Sequence, residues 1–185
     1  NRTQKPDIFR TQTVFLTLFM TEYRFNLNGE RKQVAVAGNT TLLQVLRNEL
    51  NTFSTRYGCG KEQCGSCVVL REGETIHACT AEIQDCQDTR ISTIEGQSHP
   101  IQQALIEENA GQCGYCLSGI TMAAIALLEK NPTPNREQIQ LALAGHLCRC
   151  GAHNRIIKAI ERVVSRGWAS TSTGAKPSPV YLDQV

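Results

Sequence analysis

Nine cysteines in a chain of 185 residues fall into two groups of four, with one left over. Cys59, Cys64, Cys67 and Cys79 give C-x4-C-x2-C-x11-C, and Cys113, Cys116, Cys148 and Cys150 give C-x2-C-x31-C-x-C. Cys86 stands apart. Whatever this chain folds into must serve two sets of four sulfurs. A disulfide framework fits poorly, because the cysteine content lies below the roughly 8% of small disulfide scaffolds. Neighbours as close as Cys148 and Cys150 also pair badly, since a disulfide needs a particular Cα separation and S–S torsion. Four thiolates per group is instead the ligand count of one tetrahedral zinc or one iron–sulfur cluster.

The first group favours iron. Zinc sites prefer two short C-x2–4-C knuckles, whereas here three ligands share one loop and the fourth comes from further on. That is the plant-type 2Fe–2S spacing. Three glycines sit beside the ligands in this loop, Gly58, Gly60 and Gly65. They let the backbone wrap closely with positive φ and leave amides free to point at sulfur. A zinc-stabilised loop is the alternative. The second group matches no common zinc class, and its spacing alone also allows two unrelated pairs of buried thiols.

Hydrophobic residues make up 41% of the chain and charged residues 19%, enough to bury a core. With 19 basic against 17 acidic residues and no long basic run, the expectation is no nucleic-acid partner. The longest apolar stretches, such as Met122 to Leu128, fall far short of the roughly 20 residues that span a bilayer, so no membrane span is expected. No Ser-His-Asp, metal-hydrolase or phosphate-loop signature appears, and no residue is assigned to bond-making catalysis.

Along the chain, residues 1–12 read as a polar extension, and the start at Asn1 suggests processing or trimming. Strand composition marks 14–20 and 22–27. Asn28-Gly29 signals a hairpin into Gln33 to Val36, and Thr40 or Thr41 caps a helix carrying Leu42, Val45, Leu46 and Leu50. After the cysteine loop, Val68 to Leu70, a turn at Glu72-Gly73, Thr75 to His77 and Arg90-Ile91 supply further strand. From Pro100 the composition turns helical, with segments at 101–110, 115–130, 136–144 and 155–166; the Pro-rich run 131–135 breaks the second from the third. In the third segment Ile139, Leu141 and Leu143 alternate rather than forming a helical stripe. The expected organisation is α+β at 13–96, a small helical bundle at 97–166 and a tail at 167–185 rich in Ser, Thr, Pro and Gly. Cys113 and Cys116 then lie at the start of the second helix, and Cys148 and Cys150 in the loop before the last. Helix N-termini there offer free N–H groups to an anionic cluster.

Three motifs make the family recognisable: Gly58-Cys59-Gly60 with Cys64-Gly65-x-Cys67, then Gln112-Cys113-Gly114-Tyr115-Cys116, then Gly145-His146-Leu147-Cys148-Arg149-Cys150. Together they resemble the iron–sulfur subunit of the xanthine dehydrogenase family of molybdenum hydroxylases, over residues 22–166. The resemblance implies a ferredoxin-like β-grasp domain followed by a four-helix bundle, each with one 2Fe–2S cluster. It implies a large partner subunit holding a molybdenum pterin cofactor, where an aldehyde or N-heterocycle is oxidised. Electrons would pass through the bundle cluster and then the ferredoxin-like cluster. Gln112 and the backbone of Cys150 would touch the pterin.

Cys116-Leu117-Ser118-Gly119 and Cys150-Gly151-Ala152-His153 depart from the commonest family pattern. They resemble the isoquinoline, nicotinate and membrane-bound aldehyde oxidoreductase branch, which implies cytochrome c as the acceptor, the alternative being a flavin subunit. The same branch points to a membrane-associated complex at the periplasmic face, with the cytoplasm as the other option. A free-standing two-cluster ferredoxin is the rival function. Among the remaining residues, Cys86 reads as a small buried hydrophobe, and His77 and His99 as structural. His146 and His153 flank the last ligands and suit either capping or a bond to sulfur. Lys61, Glu62 and Arg149 lie near the clusters as loop charges. Two oxidised clusters would bring the formal charge of +2 to about −2, a load that N–H donors must offset.

Overall fold

The computed structural model describes residues 20–167; the expected extension at 1–12, most of the strand expected at 14–20 and the tail beyond Gly167 lie outside them. Met20 itself is irregular. The first hairpin pairs β1 (Thr21–Leu27) with β2 (Glu30–Val36) in antiparallel register, Leu27 opposite Glu30. Asn28 and Gly29 both adopt positive φ, 54° and 89°, the twist a two-residue hairpin requires. Alternation then turns Phe25, Leu27, Val34 and Val36 to one buried face.

Thr41 caps the short helix α1 (Leu42–Gln44), its hydroxyl accepting from the Gln44 amide while the Gln44 side chain accepts from the Thr41 amide. The helix widens at once into a π turn over Val45–Glu49, with Leu50 N donating to Val45 O at 3.1 Å. Leu42, Leu43, Val45 and Leu46 are all buried. Beyond the cysteine loop come β3 (Val68–Arg71), β4 (Glu74–His77) and β5 (Arg90–Ser92). The sheet runs β2-β1-β5-β3-β4, antiparallel throughout except for the parallel β1–β5 pair. A 3-10 turn at Ile83–Cys86 buries Ile83 and Cys86, the latter packed as a hydrophobe.

Four longer helices follow: α2 (Pro100–Glu107), α3 (Leu117–Lys130), α4 (Arg136–Leu143) and α5 (His153–Ser165). Their starts are written in the sequence. His99 caps α2 through Nδ1, with Pro100 in the first turn, and Asn135 caps α4 in a capping box with Gln138. The weak stripe of α4 resolves simply: Ile139 and Leu143 are buried and Leu141 is exposed. On α5, Ile156, Ile157, Ile160 and Val163 face inward, while Arg162 and Arg166 reach the acids Glu107 and Glu108 at the end of α2.

The helices do not form an isolated core. Val68-Val69-Leu70 is a continuous apolar run, as expected of a strand buried on both faces. Val69 joins the core of the sheet and α1, whereas Val68 and Leu70 join the core of the helices. Strand β3 is a common wall, so the two halves are welded rather than strung together. Ile120 of α3 is fully buried in the helical core that Val68 and Leu70 join. Ile120→Ala should cost about 3 kcal/mol. Because the core is shared, chemical denaturation followed by far-ultraviolet dichroism and by intrinsic fluorescence should give one coincident transition at a lower midpoint.

Candidate metal centres

The first cysteine group is held by an irregular loop between the π turn and β3, with the fourth residue just past β4. Cys59 and Cys64 are half-buried; Cys67 and Cys79 are buried. Backbone amides converge on the sulfurs. Lys61 N and Gln63 N donate to Cys59 Sγ at 3.4 and 3.2 Å, and Cys59 N donates to Cys64 Sγ at 3.3 Å. The amides of Lys61 and Gln63 pull the Cys59 thiol down to about 7. Burial pushes Cys67 the other way, up to about 12, and its contact with the Cys79 thiol adds to that. Of the three loop glycines, only Gly60 and Gly65 take positive φ. Gly58 is needed for closeness, because a Cβ there would lie 2.6 Å from Cys64 Sγ. The third positive φ in this loop belongs to Glu62, at 60°.

The second group gathers at the N-terminal ends of α3 and α5. Cys113 is exposed in the loop before α3, not on the helix, and Cys116 is its buried N-cap residue. Cys148 and Cys150 lie in the loop before α5, half-buried. The Tyr115 amide lowers the Cys113 thiol. Burial lifts Cys116 to about 12, helped by its contact with Cys148. At Cys148 burial acts upward, but the Ala152 amide, the contact with the Cys116 thiol and the amides of Cys150 and Gly151 together outweigh it, and the thiol is lowered. Most of these amides belong to the loop residues just before the helices, Tyr115 ahead of the N-cap Cys116 and Cys150 and Gly151 ahead of the N-cap Ala152, rather than to the first turns that the sequence pointed to.

Among the described residues, no three or more His, Cys, Asp or Glu side chains draw together as ligands of a single ion would. The sulfurs stand in twos. Cys113 and Cys150 are 3.6 Å apart, Cys116 touches Cys148, Cys67 touches Cys79, and Cys59 touches Cys64. Tetrahedral zinc needs four sulfurs around one point. A binuclear cluster with four cysteine ligands needs two pairs, one for each iron. The donor set and its pairing fit 2Fe–2S.

The two groups meet across a narrow seam. Leu147 N donates to Cys64 O at 3.1 Å, joining the second loop to the first one residue before Cys148. Gly65 is pressed between both: a Cβ on Gly119 of α3 would lie 1.9 Å from Gly65 O, and a Cβ on Gly65 would lie 2.4 Å from the His146 ring. His146 is therefore a wedge in the seam, buried, and neither ring nitrogen makes a well-formed hydrogen bond. Burial holds it neutral, lowered to about 4, with His77 adding to the effect. His153 lies outside the seam, on α5, and its Nε2 bonds His146 O at 2.9 Å. Tyr115 Oη donates to Tyr57 O, a second tie between the loops. Sequence reasoning misses all of these seam contacts: Gly119 belongs to a recognisable motif, but its neighbours cannot be read there.

The remaining candidates are dispersed. Gln112 is exposed beside Cys113 on the rim of a cavity of about 500 Å³ that Arg56, Leu105, Ile106 and Ser118 also line. Lys61, Glu62 and Arg149 are exposed. Cys86 is buried, which raises its thiol, and takes no part in either group.

In chain freed of metal, iodoacetamide at pH 7 should modify Cys59 and Cys113 first and Cys67 and Cys116 last, read by peptide mass mapping, because the thiolate is the nucleophile. Gly119→Ala drives a methyl into the Gly65 carbonyl and should destabilise the fold by about 1–3 kcal/mol, visible as a lowered thermal midpoint.

Comparison with known proteins agrees with this chemistry. Residues 25–92 match the 2Fe-2S iron-sulfur cluster binding domain and residues 89–161 the 2Fe-2S binding domain that accompanies it. One nicotinate dehydrogenase subunit of Pseudomonas putida is 40% identical over 147 residues, 77% of this chain and 94% of that protein. The alpha subunit of isoquinoline 1-oxidoreductase from Brevundimonas diminuta is 43% identical over 143 residues, 75% of this chain and 94% of the relative. The crystal structure of quinoline 2-oxidoreductase from Pseudomonas putida 86 superposes with a TM-score of 0.75 at 28% identity, over 80% of this chain and 98% of the matched one. With two 2Fe-2S domains in tandem, and with relatives of this identity matched over nearly their whole length, the chain belongs to the iron–sulfur small subunits of the xanthine dehydrogenase family of molybdenum hydroxylases.

Proposed function

We propose that this protein is a two-step electron relay: Cys113, Cys116, Cys148 and Cys150 ligate one 2Fe–2S cluster, and Cys59, Cys64, Cys67 and Cys79 the other. Each cluster, when bound, takes up and gives back one electron. Electrons enter at the exposed Cys113 edge and leave at the loop of Cys59. The observation that carries this reading is the seam. From Cys148 the chain runs one residue back to Leu147, whose N–H bonds the carbonyl of Cys64, so bonds and one hydrogen bond connect a ligand of one group to a ligand of the other. The amides of Lys61, Gln63, Tyr115 and Ala152 hold negative charge on the sulfurs.

The partner on the entry side is a large subunit with a molybdenum pterin, which oxidises an aldehyde or N-heterocycle in this family. Gln112 and the Cys150 backbone face that partner, since loop 111–115 is exposed and adjoins the second group. The likeness to proteins of nicotinate and isoquinoline enzymes supports an N-heterocycle, and a cytochrome c or a flavin subunit then receives the electrons. In domain terms, the unit drawn at 13–96, of which residues 20–96 are described, acts as the ferredoxin-like β-grasp part and 97–166 as a four-helix bundle, with β3 shared between them. A free-standing ferredoxin would have no use for the exposed Gln112-Cys113-Gly114 turn.

Purification from the native host should yield about four irons per chain, with molybdenum in a co-purifying large subunit. Cys64→Ser should abolish or alter one of two low-temperature paramagnetic signals and leave the other. Zinc in place of iron, or a pure monomer that turns over with a soluble acceptor, would refute the assignment.

A further inference from the structure

Glu62 occupies the position where glycine would be most at ease. Its φ of 60° lies in the left-handed region, which is disfavoured for any residue with a Cβ. That conformation has a visible purpose. Lys61 N and Gln63 N, the amides on either side of Glu62, both donate to Cys59 Sγ, at 3.4 and 3.2 Å. Two such amides turn toward one anion only when the backbone curls between them, which is the concave nest that backbone N–H groups make for anions. Glu62 is the residue at which it curls.

Something must offset the strain, and the side chain supplies it. The Glu62 carboxylate accepts from Thr80 Oγ1, and Thr80 is the residue immediately after Cys79. Thr80 is anchored in turn by its backbone: its amide donates to His77 O at 3.2 Å, which leaves the single hydroxyl proton to Glu62. The three-cysteine loop is thus strapped to the segment carrying the distant fourth cysteine, on the solvent side of the group.

We propose that the Glu62–Thr80 strap is a positioning device for the first cluster: it holds Glu62 left-handed, keeps the two amides on Cys59 sulfur, and so sets the reduction potential of the cluster nearer the electron exit. The inference rests on the cluster assignment above. Amide–sulfur hydrogen bonds favour the more negative, reduced state, so loosening the nest makes the cluster harder to reduce. The Glu62 carboxylate itself acts oppositely, as a fixed negative charge beside the cluster.

The two contributions separate by substitution, measured as paramagnetic redox titrations of the purified complex. Thr80→Val keeps the charge and removes the strap, and should lower the reduced-to-oxidised ratio of the first cluster about threefold at a fixed poise, the scale of one weakened hydrogen bond. Thr80→Ser restores the hydroxyl and should restore the ratio. Glu62→Gln keeps an acceptor and removes the charge, and should move the ratio upward. In a Glu62→Ala background Thr80→Val should change nothing further, because the strap is already gone. The signal of the second cluster should stay fixed in every variant. An unchanged ratio in Thr80→Val, or an equal shift in the Glu62→Ala background, overturns the proposal while leaving the cluster assignment intact. Absence of any iron signal in the unaltered protein overturns that assignment instead.

Discussion

The structure turns on solvating thiolate sulfur with backbone amides. Anionic sulfur taken out of water needs hydrogen-bond donors or it reverts to the neutral thiol. The charged side chains of the two loops do not provide them: Lys61 and Arg149 are exposed, and it is the main-chain N–H of Lys61 that meets Cys59. The donors are backbone amides, freed by irregular backbone at residues 59–67 and in the loops that lead into α3 and α5. That requirement explains why both groups sit where regular structure stops. A strand or helix interior has already committed its amides, whereas a curled loop and a helix start have not.

A second constraint follows from having two such loops. Each is irregular and would be weak alone, so each is braced against the other and against the wall of β3. Leu147 N bonds Cys64 O, Tyr115 Oη bonds Tyr57 O, and Gly65 is seated between Gly119 and the His146 ring. Glycine at 65 and 119 serves contact here: any Cβ on Gly119 would collide with the Gly65 carbonyl. Main chain meets main chain with no side chain between, which is the shortest approach two polypeptide loops can make.

How much of this the sequence disclosed divides along one line. Spacing that depends on a ligand count is legible in the first cysteine group, and Asn28-Gly29 is legible as a hairpin; the second group, whose halves stand 31 residues apart, needs its helical context and the family motifs as well. Contacts between distant segments are not legible. The alternation at Ile139, Leu141 and Leu143 reads as a weak stripe because nothing local shows that Leu141 faces solvent. Val68-Val69-Leu70 reads as a strand, but its service to two cores follows only from α3 packing on it. In the sequence Gly58 groups with Gly60 and Gly65 as a source of positive φ, whereas its need is room for Cys64 sulfur. Glu62 reads as a loop charge because left-handed backbone is not expected of glutamate.

The welded seam also bears on why a relay would be built on one chain rather than on two separate carriers. Two units with independent cores, joined by a linker, would sample many separations, and transfer between their centres would wait on encounters. A shared wall removes that freedom, since close-packed interiors resist small displacements. The cost is that neither half is free to relax around its own metal: a shift in α3 moves Gly119, then Gly65, then Cys64. Side-chain straps at the periphery, such as Glu62 to Thr80, then become the places where one centre can be adjusted without disturbing the other. They lie on the solvent side and join two segments of the first group to each other.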